Sequence, residues 1–314
     1  HRVGVIASAL VALSLIGGLG AALWQAGRAE AAADRAADRA AEAEAVTTFL
    51  VDMIGDARPR GSDGDSLRVR DVLDAGVTRL DTGFVDQPQV RAALASAFGA
   101  AHHKLGDVDA ALPLHRLAVD LRRQTLPRSA PEVIAAENEL VVDLLNTRQL
   151  DELDTLLAGM LDTRRADLGP THFQVAQTLH DLALTANRRP DSLKKARAEG
   201  YFREAIATVE QGGPEIYAET AEITTSYDGF RAGLYYDLAA HYLETGRDSL
   251  AAEPMRLAVQ RSDDPQESTN QQMLMNGYGV LLRQLGRHDE AIAVHRDVVE
   301  AARAAHGPDH PFYG

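Results

Sequence analysis

Leu105-Gly106-Asp107-Val108-Asp109-Ala110-Ala111 and Leu285-Gly286-Arg287-His288-Asp289-Glu290-Ala291 are two copies of one pattern. The match runs on through Leu114-His115-Arg116 against Val294-His295-Arg296. Each copy reads as helix, short turn, helix. Working outward, the connectors Leu126-Pro127-Arg128-Ser129, Leu168-Gly169-Pro170-Thr171 and His306-Gly307-Pro308-Asp309 also align. With the turn inside each helix pair as a ruler, turns fall at Gly106, Arg148, Pro190, Gly246 and Gly286, spaced 42, 42, 56 and 40 residues. A period in the forties with two helices per unit predicts an all-α solenoid of stacked hairpins.

Composition agrees with that class. Hydrophobic residues make up 45% and charged residues 25% of the 314, while aromatics are only 5%. Alanine, leucine, arginine and the acids favour helix over sheet. The net charge of −14 argues against general nucleic-acid binding, because phosphate contact needs a basic surface. There is no cysteine, so disulfides, thiolate metal sites and cysteine nucleophiles are excluded.

Where paired helices touch, small side chains let the axes approach. Gly99, Ala111 and Ala118 fit this in the first unit, Ala239, Ala251 and Ala258, with the larger Tyr242, in the fourth, and Gly279 and Ala291 in the fifth. The second unit departs, with Leu153 and Met160 at the small positions. The third has an enlarged turn, Arg188 to Ser192, followed by Ala198, Phe202 and Ala205, then a longer connector with Gly212-Gly213-Pro214. In these residues the units resemble the tetratricopeptide repeat in its longer form with a Gly-Pro-x-His connector. That resemblance implies a right-handed superhelix over residues 89–314, about five hairpins. Gly307-Pro308-Asp309-His310 is a connector of the kind that introduces a further unit.

The N-terminal part is different in kind. Val3–Trp24 is 22 residues without a charge, about 33 Å as a helix, and predicts a membrane-spanning segment with Trp24 as interfacial anchor. A signal peptide is the rival, but its apolar core is shorter. Ser14, Gly18 and Ala22 form a small-residue stripe of the kind that lets two such helices pair. The expected organisation is a transmembrane helix at 1–25, an Ala-rich helical stalk at 26–58, a polar linker at 59–65, a capping helix at 66–88 and the repeats at 89–314. Anchor and stalk together offer a homodimer contact. The chain opens on His1 rather than methionine and runs straight into the apolar segment, so a preceding part is expected.

The whole layout resembles the C-terminal half of bacterial transmembrane serine/threonine protein kinases with tetratricopeptide ectodomains. The residues that carry it are the stalk, Glu44-Ala45-Val46 through Phe49-Leu50-Val51-Asp52-Met53, then Val72-Leu73-Asp74-Ala75-Gly76 and Gln87-Pro88-Gln89-Val90. The resemblance implies a single-pass protein of the bacterial inner membrane, repeats outside the cytoplasm, with a kinase domain before His1. A membrane-anchored assembly scaffold without a kinase is the competing reading.

No catalytic, cofactor or metal site is expected in this chain itself. His295-Arg296-Asp297 spells the start of a kinase catalytic loop, but the position that should be the magnesium-binding Asn is Ala302. His102-His103 and the pair His306 and His310 lack a fixed acidic third ligand. Binding is expected on the inner face of the first helices instead. Ten residues before each turn stand Ser96, Asn138, His180, Tyr236 and Asn276, all able to hydrogen-bond an extended peptide or protein partner. Arg283, further along the fifth unit, adds a carboxylate contact. The same column also fits an ordinary solvated helix face.

Overall fold

The computed structural model describes residues 25–53 apart from positions 28, 31, 32, 34, 35 and 38, and then 69–218, 226–261 and 268–306. The apolar run Val3–Trp24 and the linker 59–65 lie outside these residues. Among the described residues every element is helical, and no helix is long and apolar enough to cross a membrane. After a helical segment at 39–53 come α1 (Val69–Thr82), α2 (Pro88–Lys104), α3 (Val108–Thr125), α4 (Pro131–Asn146), α5 (Leu150–Leu168) and α6 (Phe173–Asn187). These are followed by α7 (Ser192–Ala218), α8 (Tyr227–Glu244), α9 (Asp248–Arg261), α10 (Ser268–Gln284) and α11 (His288–His306).

Two compact units divide the chain. The first comprises 1–127 with 135–140, and the second 128–134 with 141–314. In the first, α2 and α3 form a tight antiparallel pair and α1 packs on α2. The end of the expected stalk takes part in this core. Phe49 and Met53 are buried, and the Phe49 ring meets Phe84 edge-on at 5.4 Å and Phe98 at 6.1 Å. A Cβ on Gly76 of α1 would come 2.5 Å from Met53 Sδ and 2.6 Å from Phe98 Cζ, so this glycine is needed for close approach. In the second unit α6 pairs with α7, α8 with α9 and α10 with α11, and α5 lies on α6, α7 on α8 and α9 on α10.

The small positions read from the sequence are where the helices meet. Ala111, Ala118, Ala239, Ala251, Ala258, Ala198 and Ala205 are fully buried. Leu153 and Met160, the departures in the second hairpin, are buried too, so this hairpin accommodates larger side chains.

Four of the five hairpin turns share one geometry. The second residue after the helix has positive φ at Gly106 (77°), Arg148 (56°), Gly246 (68°) and Gly286 (74°). At each turn the next amide donates back to the carbonyl five residues earlier, as from Asp107 to His102, Gln149 to Leu144, Arg247 to Tyr242 and Arg287 to Leu282. This is the αL helix end that glycine adopts without a Cβ penalty. Arg148 alone occupies it with a side chain. Arg148→Gly is expected to stabilise the fold by about 0.5–1 kcal/mol, less any entropy regained by the unfolded chain. Gly246→Ala should cost about 1 kcal/mol. The urea midpoints of the two variants check this.

The third hairpin is where the periodicity slips. α7 runs through a kink at Gly213 (φ 72°, ψ 176°) and continues past Pro214. The extra turn brings Tyr217 onto Phe173 (4.7 Å, edge-on), and Phe173 in turn meets Phe230 at 4.8 Å. This aromatic cluster joins α6, α7 and α8.

Candidate functional site

Among the inner-column positions, Ser96 and Asn138 belong to the first unit and are half-buried. In the second unit Tyr236 is 43% exposed, and Asn276 and Arg283 are exposed as well. Their neighbours one turn away, Met273 and Val280 on α10 and Gly233 and Ala240 on α8, are uncharged. The accessible face of α8 and α10 thus presents isolated hydrogen-bonding groups on a weakly polar ground, with Arg283 as a cation.

His180 differs from the rest of its column. It is half-buried on α6, and its Nε2–H donates to Asp237 Oδ2 on α8 at 2.6 Å. The ring lies 6.0 Å from Phe202 and 6.1 Å from Phe230. Burial works to lower the imidazole pKa, but the hydrogen bond to Asp237 and the charges of Asp181 and Asp237 outweigh it and raise it above the ordinary value. Beside it, burial pushes the Asp181 carboxyl up to about 6, against the opposing charges of His180 and Arg164. Arg164, on α5, is itself 1% exposed. Its Nη1 donates to Thr178 Oγ1 at 2.8 Å and to the Gln174 carbonyl at 3.4 Å.

A second polar cluster sits at the other end of α8. His241 is fully buried, with Nδ1 2.6 Å from Asn187 Oδ1 and Nε2 2.9 Å from Arg247 Nη2. A guanidinium only donates, so Nε2 must accept and the ring is the neutral tautomer with its proton on Nδ1. Burial, with the charge of Arg247, keeps its pKa below the usual histidine value. Arg247 also pairs with Glu199 at 2.7 Å, while Tyr242 donates to Glu199 at 2.9 Å and accepts from Arg203 at 2.9 Å. Burial would lift the Glu199 carboxyl, but these hydrogen bonds and the charges of Arg247 and Arg203 hold it below the usual range. A shallow depression of about 310 Å³ is lined by Lys195, Ala196, Glu199, His241, Thr245 and Arg247. The facing carboxylate and imidazole are committed to partners within the protein, which makes this cluster a clamp between α6, α7 and α8.

These pairings give a pH dependence whose sign follows from linkage. Asp181 in the fold keeps its proton to about pH 6, whereas the unfolded chain loses it near 3.8. His180, raised, keeps its proton above 6.5. Both make the folded state bind more protons than the unfolded one, so their contribution is greatest at low pH. It declines as pH rises from about 4 through 6 and on past the His180 value. Asp181→Asn is therefore expected to stabilise by about 1–2 kcal/mol at pH 8 and by much less at pH 4, part of the gain being lost because Asp181 supports the charge on His180. Thermal unfolding at the two pH values tests it.

The histidines whose spacing comes nearest to a metal site are placed as follows. His102 is 2% exposed with Nε2 3.8 Å from Asp74, while His103 is half-buried on the next position of the helix. The side chains of His306 and His310 fall outside the described residues. Among the described residues no three His, Cys, Asp or Glu side chains gather as a metal group would require. His295-Arg296-Asp297 lies within α11, and the His295 ring rests against Gly279.

Sequence reasoning found His180 but missed Asp237, one residue past the next member of the column, because pairing between successive hairpins has no local signature. It also missed Arg164. A signal existed, since Arg122 stands at the same register of α3.

The tetratricopeptide repeat model matches residues 91–131 and 273–312. No curated protein matches the chain. Among solved structures, BtubC (BKLC) from P. vanneervenii is 20% identical, with 76% of this chain aligned to 91% of that one at a TM-score of 0.56. The apo form of RapI is 8% identical, with 82% of this chain and 97% of that one aligned at 0.52. A set of nearly identical TPR-like repeats from Podosopora anserina, assigned as a kinesin light chain, aligns at 20% identity over 71% of this chain and 100% of that one, with a TM-score of 0.49. The likenesses to BtubC and RapI speak for the fold alone: an all-helical, tetratricopeptide-like solenoid.

Proposed function

We propose that the repeats bind an extended peptide or protein partner along the inner column, as the interaction or sensor region of a single-pass membrane signalling protein. The observation that carries the binding part is the face of α8 and α10. There Tyr236, Asn276 and Arg283 are exposed among uncharged neighbours, suited to grip a main chain by hydrogen bonds while small apolar side chains rest between them. Ser96 and Asn138 stand at the same register of their own hairpins in the first unit, and His180 does so in the second, with its Nε2 engaged by Asp237.

The membrane, kinase and homodimer parts of this reading are supported by the sequence layout: Val3–Trp24 as the bilayer anchor, the small-residue stripe and stalk as a pairing contact, and the order of anchor, stalk and repeats. In this reading the repeats lie outside the cytoplasm of a bacterium and a serine/threonine kinase domain precedes His1. A scaffold that shares the anchor but has no kinase in the same chain is the second reading. The coding sequence upstream separates the two, through a kinase domain in one case and a nearby start codon in the other.

The groove is tested by replacing Asn138 and Asn276 with alanine in the full chain and quantifying partners recovered on affinity resin from native membranes. Loss of a specific partner supports the column, and unchanged recovery removes it.

A further inference from the structure

We propose that His241 is an acid-operated release for Arg247: on taking a second proton the ring expels the guanidinium that ties the α8–α9 turn to α7, and the joint between the third and fourth hairpins opens at its turn end. The donors and acceptors of the cluster carry this. His241 is 0% exposed, its Nδ1–H donates to Asn187 Oδ1 at the end of α6, and its Nε2 accepts from Arg247 Nη2. Arg247 also donates to Glu199 Oε2 of α7 at 2.7 Å and to Thr245 Oγ1 at 3.0 Å. One guanidinium thereby joins the turn of the fourth hairpin to the second helix of the third. A protonated imidazole donates from both nitrogens. Its Nε2–H would face a guanidinium N–H at a ring closed off from solvent, two donors and two like charges with no acceptor between them. The bond to Asn187 survives protonation, so the ring stays and its other partner leaves. Arg247 has a way out, since its side chain is 37% exposed.

The forces on the ring set the direction. Burial, Arg247 and Lys195 oppose the second proton, while Glu199 on α7 and Glu244 on its own helix favour it. α6 presents the uncharged Asn187, α7 the Phe202 ring at 6.1 Å, and α8 the Tyr242 ring at 5.9 Å. Burial and the cations prevail, so the proton arrives below the ordinary 6.5 of a histidine. The stability that His241 contributes is whole above 6.5 and is lost as pH falls below it. His180 and Asp181 have the opposite sign, so they cannot produce loosening by acid. Acid favours the charged His180 bonded to Asp237, one turn earlier on α8, and leaves the Phe173, Tyr217 and Phe230 cluster near the start of α8 as it is. The joint therefore opens from the turn, with the rest as its hinge.

The sequence has no cysteine, so spin labels can be placed at will in the full chain in detergent. Leu193→Cys on α7 with Leu250→Cys on α9, both exposed, reports on the turn end of the joint. Gln211→Cys with Gln260→Cys, both exposed and next to Glu210 and Arg261, reports on the opposite end. Pulsed electron resonance between pH 7.5 and 4.5 measures both distances. For the first pair the ratio of long to short distances should rise by up to about tenfold per pH unit below 6.5, the limit for one proton, while the second pair holds its distance. His241→Gln, whose amide can donate to Asn187 and accept from Arg247 without titrating, should keep the short distance throughout. Arg247→Met should make the first distance independent of pH and raise the pH at which the imidazole nitrogen NMR signals titrate. A pH response that survives either substitution overturns the proposal, as does an equal widening of both pairs or no widening at all.

Discussion

Arg164→Met is expected to destabilise the second unit by about 3 kcal/mol at pH 8, and by clearly less at pH 5. The guanidinium is 1% exposed, its Nη1 serves Thr178 and the Gln174 carbonyl, and its charge opposes the burial of Asp181. Methionine fills much of the volume but removes one of the two charges, with that of His180, that oppose the desolvation of the Asp181 carboxyl. Breaking a buried charge arrangement by taking one partner away is far costlier than replacing the whole set, because the remaining ion stays desolvated. At pH 5, below its value of about 6, Asp181 is mostly protonated in the fold and needs no counter-charge, so the penalty shrinks. The double variant Arg164→Met with Asp181→Asn should recover most of the loss at pH 8. Chemical unfolding of the three variants at both pH values measures this. Equal penalties at the two pH values would show that the loss is one of packing rather than charge.

How far the sequence reveals this molecule depends on the range of the interaction. The hairpins were readable because helix periodicity, the αL turn and the small contact residues all lie within one 42-residue unit. Gly106, Gly246 and Gly286 mark their turns directly, whereas Arg148 is marked only by spacing, and its φ of 56° gives it the same αL helix end. The long kinked α7 was visible only as an irregular 56-residue interval around Gly212-Gly213-Pro214. What stayed hidden joins different units of the repeat. The bond from His180 to Asp237 spans 57 positions and that from His241 to Asn187 spans 54, and neither partner is distinguished by its neighbours in sequence. Tyr236 and Asn276 stand out in the sequence because a polar residue recurs at one register, and Arg283 lies further along α10. The docking of Phe49 and Met53 onto the first hairpin was not, since an alanine-rich helix gives no sign of where its last apolar residues will pack.

Gly99→Ala should cost about 1–3 kcal/mol, and Gly279→Ala a similar amount, although neither glycine sits at a turn. A Cβ on Gly99 would lie 2.4 Å from His115 Nε2, and one on Gly279 2.6 Å from His295 Nε2, both well inside van der Waals contact. The two pairs occupy the same register, so the first helix of each hairpin yields space to the histidine of the second. His115 is 2% exposed and cannot swing into solvent without opening the gap between α2 and α3. Thermal melts should show the loss as a drop of several degrees, at about 2–4 °C per kcal/mol for a unit of 150–250 residues and more for a smaller one. The decisive measurement is the double-mutant cycle with His115→Ala. If the ring is what the methyl strikes, the histidine variant absorbs most of the glycine penalty, and the double variant is markedly more stable than the sum of the two single losses predicts. Additive losses would mean that the glycine is required by its own backbone, and the small-residue contacts that define the hairpins would then need another physical origin.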